Sequence, residues 1–73
     1  PVTTISYRIH SDSHVTLKVY TVTGRLVARL VDSPQAAGTY SLSFDGSSLA
    51  SGIYFYRLDT GGFTKNGKML YLK

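Results

Sequence analysis

Apolar and polar residues alternate along much of this chain, and a period of two marks half-buried β-strands. Residues 4–9 place Ile5, Tyr7 and Ile9 on one face. Residues 14–20 turn Val15, Leu17 and Val19 inward and leave Thr16 and Lys18 toward water. Residues 38–44 set Tyr40, Leu42 and Phe44 on one side and Thr39, Ser41 and Ser43 on the other. Residues 52–58 read Gly-Ile-Tyr-Phe-Tyr-Arg-Leu, an almost continuous apolar run. Such a run predicts a central strand covered on both faces.

Turn residues separate these segments. Ser11-Asp12-Ser13 is a polar cluster, and Asp45-Gly46-Ser47-Ser48 is a second loop. Thr21-Val22-Thr23-Gly24 reads as a type I turn closed by a bulge, because Gly24 can take a positive φ. Residues 25–32 fit either a strand or a helical stripe through Leu26 and Leu30. The strand is preferred: the segment is short, contains two valines and follows a hairpin turn directly. Ser33-Pro34-Gln35 is expected to end it, since proline withdraws a backbone donor. Gly61-Gly62 makes a tight hairpin turn.

The last segment, 63–73, changes phase. Phe63 falls with Met69 and Tyr71, whereas Leu70 and Leu72 read as the core pair. A one-residue bulge at Asn66-Gly67 brings Phe63 into register with the two leucines. A second hairpin turn at Asn66-Gly67 is the alternative. The bulged long strand is preferred, because a strand confined to 63–65 is poorly anchored. The sum is six or seven short strands with turn signals roughly every 8–12 residues, the pattern of a β-sandwich or small barrel. No internal repeat or linker is read from the sequence.

Composition narrows this picture. The 73 residues make one domain at most, and below roughly 70–80 residues a domain usually needs a staple. There is no cysteine, so no disulfide can supply it. The expectation is a well-packed sandwich or support from a neighbouring domain or a second copy. The 42% hydrophobic content suffices for a core. The net charge of +4 comes from eight cations spread without a run, which favours ordinary solvated faces over a nucleic-acid surface. On the basic side, an anionic glycolipid or polysaccharide is the partner that would fit. No apolar run approaches the roughly 18 residues of a membrane-spanning helix. The chain starts at Pro1 with no signal-peptide pattern, and is read as a C-terminal piece of a longer protein.

Catalytic constellations are thin. There is no Gly-x-Ser-x-Gly elbow. His10, Asp12 and His14 flank one turn and could converge on a metal, but structural zinc usually wants four ligands and thiols are absent. The four acids, Asp12, Asp32, Asp45 and Asp59, lie in or beside four different turns, so no pair is set to flank a glycosidic bond. They read as turn-stabilising groups, with Asp45-Gly46-Ser47-Ser48 as the loop to examine for calcium. No metal and no cofactor is expected. Tyr54 and Tyr56 share one face of their strand and raise the alternative of an accessory adhesion or carbohydrate-binding module, against ordinary cross-strand packing.

Four blocks carry a resemblance. Val15–Arg25, Ala37–Asp45, Ser48–Leu58 and Lys68–Lys73 resemble, in order and over essentially the whole chain, the C-terminal sorting domain of the type IX (Por) secretion system, type A. The opening Pro1–Tyr7 is similar to its entry strand. The Ig-like domain of the flagellar hook-capping protein shares part of the pattern, but the Lys-Met-Leu-x-Leu-Lys finish favours the sorting domain. Asn66-Gly67 departs from the smooth last strand of that family. The resemblance implies an Ig-like antiparallel β-sandwich spanning 1–73 as a single domain, with no catalysis of its own. It implies a secreted cargo carried through the periplasm to the cell surface by the outer-membrane type IX machinery. It further implies a surface sortase that removes the domain and joins the cargo to anionic lipopolysaccharide. By analogy the recognition residues are Gly52, Tyr54, Arg57, Lys68, Leu70, Leu72 and Lys73. An uncovered edge strand can also pair with another copy, giving a weak homodimer.

Overall fold

A computed structural model describes residues 2–46 and 49–71. These form six strands: β1 (Val2–Ile9), β2 (Ser13–Thr21), β3 (Leu26–Gln35), β4 (Gly38–Asp45), β5 (Gly52–Asp59) and β6 (Thr64–Tyr71). β1 and β4 pair as a two-stranded sheet, and the other strands form a four-stranded sheet in the order β3-β2-β5-β6. All pairings are antiparallel. The arrangement is an all-β, Ig-like sandwich.

The core follows the alternation. Val15, Leu17 and Val19 on β2 are fully buried, and Ile5, Ile9 and Phe44 close over them from the small sheet. Leu58, Tyr54 and Tyr71 complete the interior from β5 and β6. Tyr7 and Tyr40, opposite each other in the β1–β4 register, stack with centroids 5.4 Å apart. Thr16 and Lys18, expected to face water, are half-buried among their neighbours on the outer face. The turn at Thr21–Gly24 forms as expected: Gly24 N–H donates to Thr21 C=O at 3.0 Å and Gly24 holds φ 89°. The strand reading of residues 25–32 also holds, with two irregularities in the β2–β3 register.

Three expectations are corrected. Pro34 does not end β3; it sits inside it, opposite His14. β3 is an edge strand, so proline's missing N–H can face away from the ladder at no cost. β5 is central but not covered on both faces. With only two layers, one side of the four-stranded sheet stays open, and Ile53 and Phe55 are 44% and 39% exposed. Finally, β6 has no bulge: its pairing with β5 runs regularly from Asp59↔Thr64 to Gly52↔Tyr71. The register therefore turns Gly67, Met69 and Tyr71 inward and Leu70 outward, where it is 62% exposed. Leu70 is not a core residue, and Leu72 lies outside the described residues. The inversion has a simple cause. Tyr71 fills the end of the sandwich under Gly46, where a Cβ would lie 2.9 Å from the ring, and its side chain has more volume to place there than a leucine.

Candidate functional site

Two of the residue blocks singled out by resemblance, Ser48–Leu58 and Lys68–Lys73, meet in the β5–β6 hairpin. The register of the two consecutive strands sets Gly52 against Tyr71, Ile53 against Leu70 and Phe55 against Lys68. The hairpin is closed by Thr60, whose N–H donates to Phe63 C=O at 2.9 Å and whose hydroxyl accepts from the Gly62 and Phe63 amides.

The two faces of this hairpin do different work. Tyr54 points inward and is 7% exposed. Its hydroxyl donates to Ala50 C=O at 2.7 Å, and its ring meets Tyr71 edge-on at 6.5 Å. Burial raises the Tyr71 phenol above its ordinary value, with the charge of Asp45 adding to the effect. Gly52 holds φ 158°, a region that residues with a Cβ rarely enter. The same device recurs in the small sheet. Ala36-Ala-Gly-Thr-Tyr40 and Ala50-Ser-Gly-Ile-Tyr54 share one spacing, Gly38 holds φ 154°, and Tyr40 donates to Ala36 C=O at 2.5 Å. The sequence thus does contain a short repeat, a tyrosine corner that fixes the entry of β4 and of β5. Gly52 and Tyr54 are accordingly part of the frame. Tyr54 is buried in cross-strand packing, the reading preferred for this pair, whereas Tyr56 is half-buried and contributes to the lining of an open cleft.

The outer face carries Arg57, Lys68 and Leu70. Antiparallel partners share a face, so register alone defines rows across the sheet. Leu26, Tyr20, Phe55 and Lys68 form one row. Beside it run Arg29, Lys18, Arg57 and Asn66, and beyond them Asp32, Thr16, Asp59 and Thr64. The face is zoned from apolar through cationic to acidic. Arg57 Nε donates to Asp59 Oδ2 at 3.0 Å, and Thr64 Oγ1 donates to Asp59 Oδ1 at 2.5 Å. The Thr64 hydrogen bond, then Arg57, holds the Asp59 carboxyl below the usual range. At the other edge His14 Nε2 lies 2.7 Å from Asp32 Oδ1, and that hydrogen bond is the main reason the Asp32 carboxyl is also lowered. Where the apolar and cationic rows meet the Thr21–Gly24 turn lies an open cleft of about 350 Å³ lined by Tyr20, Val22, Phe55, Tyr56, Arg57 and Asn66, among others.

His10, Asp12 and His14 do not converge. His14 pairs with Asp32, Asp12 accepts from the Ala37 amide at 2.8 Å, and His10 lies 6.5 Å from the Phe63 ring. Among the described residues no three metal-ligating side chains cluster. Of the residues named by resemblance, Gly52 and Tyr54 hold the frame and Arg57, Lys68 and Leu70 share the open face. Leu72 and Lys73, like Ser47 and Ser48 of the loop considered for calcium, lie outside the described residues. Sequence reasoning missed Lys18, Tyr20, Arg29, Ile53 and Phe55 as partners in this face. The signal was the apolar run of β5: in a two-layer sandwich, half of such a run must be left uncovered.

The family model described as secretion system C-terminal sorting domain matches residues 1–71. No curated protein and no solved structure matches the chain.

Proposed function

The chain belongs to the type IX secretion C-terminal sorting domains, and from that premise we propose that residues 1–73 act as a single, non-catalytic tag whose open sheet face is read by the export machinery. As a sorting domain of this system it is a signal for secretion, with cell-surface or outer-membrane association. The proposal adds the route and the reader. A secreted cargo passes through the periplasm with this domain folded, and the outer-membrane machinery engages Arg57, Lys68 and Leu70 on the framework held by Gly52 and Tyr54. Leu72 and Lys73 extend the same signal. A surface sortase then removes the domain and attaches the cargo to anionic lipopolysaccharide.

One observation carries this reading. The two blocks most like the family meet where β5 pairs with β6, Gly52 to Phe55 lying opposite Tyr71 to Lys68, with Arg57, Lys68 and Leu70 turned outward together. The non-catalytic reading is supported by the work the acids already do: Asp12 holds the Ala37 amide, Asp32 pairs with His14, and Asp59 with Arg57 and Thr64.

The test is a fusion of residues 1–73 to a periplasmically exported fluorescent reporter in a bacterium with type IX secretion. It is compared with a version ending at Gly67 and with the full-length Lys68→Glu variant, and circular dichroism reports folding of each. Surface display of the parent, lost in the truncation and in folded Lys68→Glu, supports the reading. A folded parent that remains in the periplasm overturns it.

A further inference from the structure

Arg29, Lys18 and Arg57 stand directly opposite one another on three adjacent strands. Like charges so placed oppose folding, and the core needs none of them. Asp32 and Asp59 offset the row on one side. On its other side the neighbouring row is Leu26, Tyr20, Phe55 and Lys68, in which Leu26 and Phe55 are at least 39% exposed, and the exposed Ile53 lies beyond it. The cleft of about 350 Å³ opens along that boundary, with Arg57 and Asn66 at its polar end.

A ligand for this boundary carries anionic groups on one edge and apolar groups on the other. Acidic sugars meet the first condition and fail the second. Their hydroxyls call for many convergent polar groups, whereas the cleft is lined by Tyr20, Val22, Phe55 and Tyr56 with Thr21, Arg57 and Asn66 beside them, and Leu26, Ile53 and Leu70 are exposed elsewhere on the same face. A carboxylate-bearing peptide meets both, since carboxylates form strong charge-assisted bonds with guanidinium groups and aliphatic side chains can fill the cleft. A flat anionic membrane would also confront the acidic row beyond the cations, which a narrow segment avoids.

We propose that the outer face of β3-β2-β5-β6 docks an acidic, aliphatic-rich segment of a partner protein, its carboxylates on the Lys18–Arg57 row and its apolar side chains in the cleft beside Tyr20 and Phe55. This rests on the reading of the open face as the surface used in sorting, and it states the chemistry of the partner.

The experiment titrates the ¹⁵N-labelled chain with a blocked peptide of alternating glutamate and leucine, its lysine–leucine counterpart and an oligogalacturonate. Saturable shifts of the Phe55, Arg57 and Asn66 amides are expected with the glutamate peptide alone. Binding should weaken about tenfold between about 50 mM and about 300 mM salt, as screening of exposed charges requires. Lys18→Gln and Arg29→Gln, which relieve repulsion and so keep the fold, should each weaken it about fivefold or more. Equal binding of the lysine peptide, saturation by oligogalacturonate in place of the peptide, or no saturable shift overturns the proposal. The reporter fusion separates the two readings. Surface display without peptide binding removes this inference and leaves sorting intact; peptide binding through Lys18 with the fusion held in the periplasm does the reverse.

Discussion

Tyr56 on β5 and Gly67 on β6 stand directly opposite each other, and the tyrosine ring occupies the space that any side chain at position 67 would need. A Cβ built on Gly67 falls well inside contact distance of the Tyr56 ring. This accounts for the Asn-Gly pair in the middle of a strand that otherwise pairs without interruption. The glycine neither turns the chain nor bulges it; it makes room for an aromatic side chain across the ladder.

Gly67→Ala should therefore destabilise the domain by about 1–3 kcal/mol, the usual cost of overpacking. In a domain of this size each kcal/mol lowers the melting temperature by roughly 4–8 °C. The ring is the obstacle, so Tyr56→Ala should absorb most of the Gly67→Ala penalty in a double-mutant cycle. Thermal denaturation of the four proteins checks this, and additivity of the two changes would refute the packing account.

The paired tyrosine corners give a second, graded expectation. Tyr54→Phe removes a hydrogen bond in a part-buried setting, Tyr40→Phe one in an exposed setting. The first should cost about 0.5–1.5 kcal/mol and the second less, because the Tyr54–Ala50 bond is the less exposed of the two. Gly52→Ala should cost more than either, about 1–3 kcal/mol, since it forces a Cβ into a sparsely populated region. Urea denaturation ranks the three, and a larger loss from Tyr40→Phe than from Tyr54→Phe contradicts the assignment.

The sequence made the inward faces of β1, β2 and β4 readable because each shows strict alternation and one face is buried. It was ambiguous where alternation fails. In β5 both parities are apolar, so the pattern could not say that one of them would lie open. In β6 the choice was between Leu70 with Leu72 and Met69 with Tyr71. Hydrophobicity favours the leucines, whereas the fold needs the volume of Tyr71 beneath Gly46. Pro34 misled because its rule applies to a strand with neighbours on both sides, and which strand becomes an edge is a property of topology. The candidate site was half legible. Arg57, Lys68 and Leu70 came from resemblance, but Lys18 and Arg29 join them only through register, and register between β2, β3 and β5 is written in no single segment.

The two lowered carboxyls predict an acid limb. Asp59 is lowered first by Thr64 and then by Arg57, Asp32 first by His14. A group whose folded-state pKa is depressed contributes stability in full above its unfolded value, about 3.9 for aspartate. That contribution is lost as the pH falls through the lower folded value. Stability should therefore decline below about pH 4. Thr64→Val should move the Asp59 carboxyl upward and make the decline shallower, leaving Asp32 unmoved. Carboxyl ¹³C shifts against pH read both midpoints, and an Asp59 midpoint unchanged by Thr64→Val would sink the explanation.

Leu70 and Tyr71 are neighbours in sequence and opposites in role, and the contrast separates recognition from folding. Tyr71 is 2% exposed and Leu70 62%. Tyr71→Ala should cost about 3–5 kcal/mol, as for other large aromatic truncations in a core, and leave little folded domain. Leu70→Ala should change stability by no more than about 0.5 kcal/mol, in line with surface substitutions elsewhere. If the strand serves only to complete the fold, display of the reporter fusion will track stability: lost with Tyr71→Ala, kept with Leu70→Ala. If the outer face is what the machinery reads, Leu70→Ala will lower display while its melting curve matches the parent. Leu70 is the better probe of the two, because the register that exposes it also frees its substitution from any effect on the core.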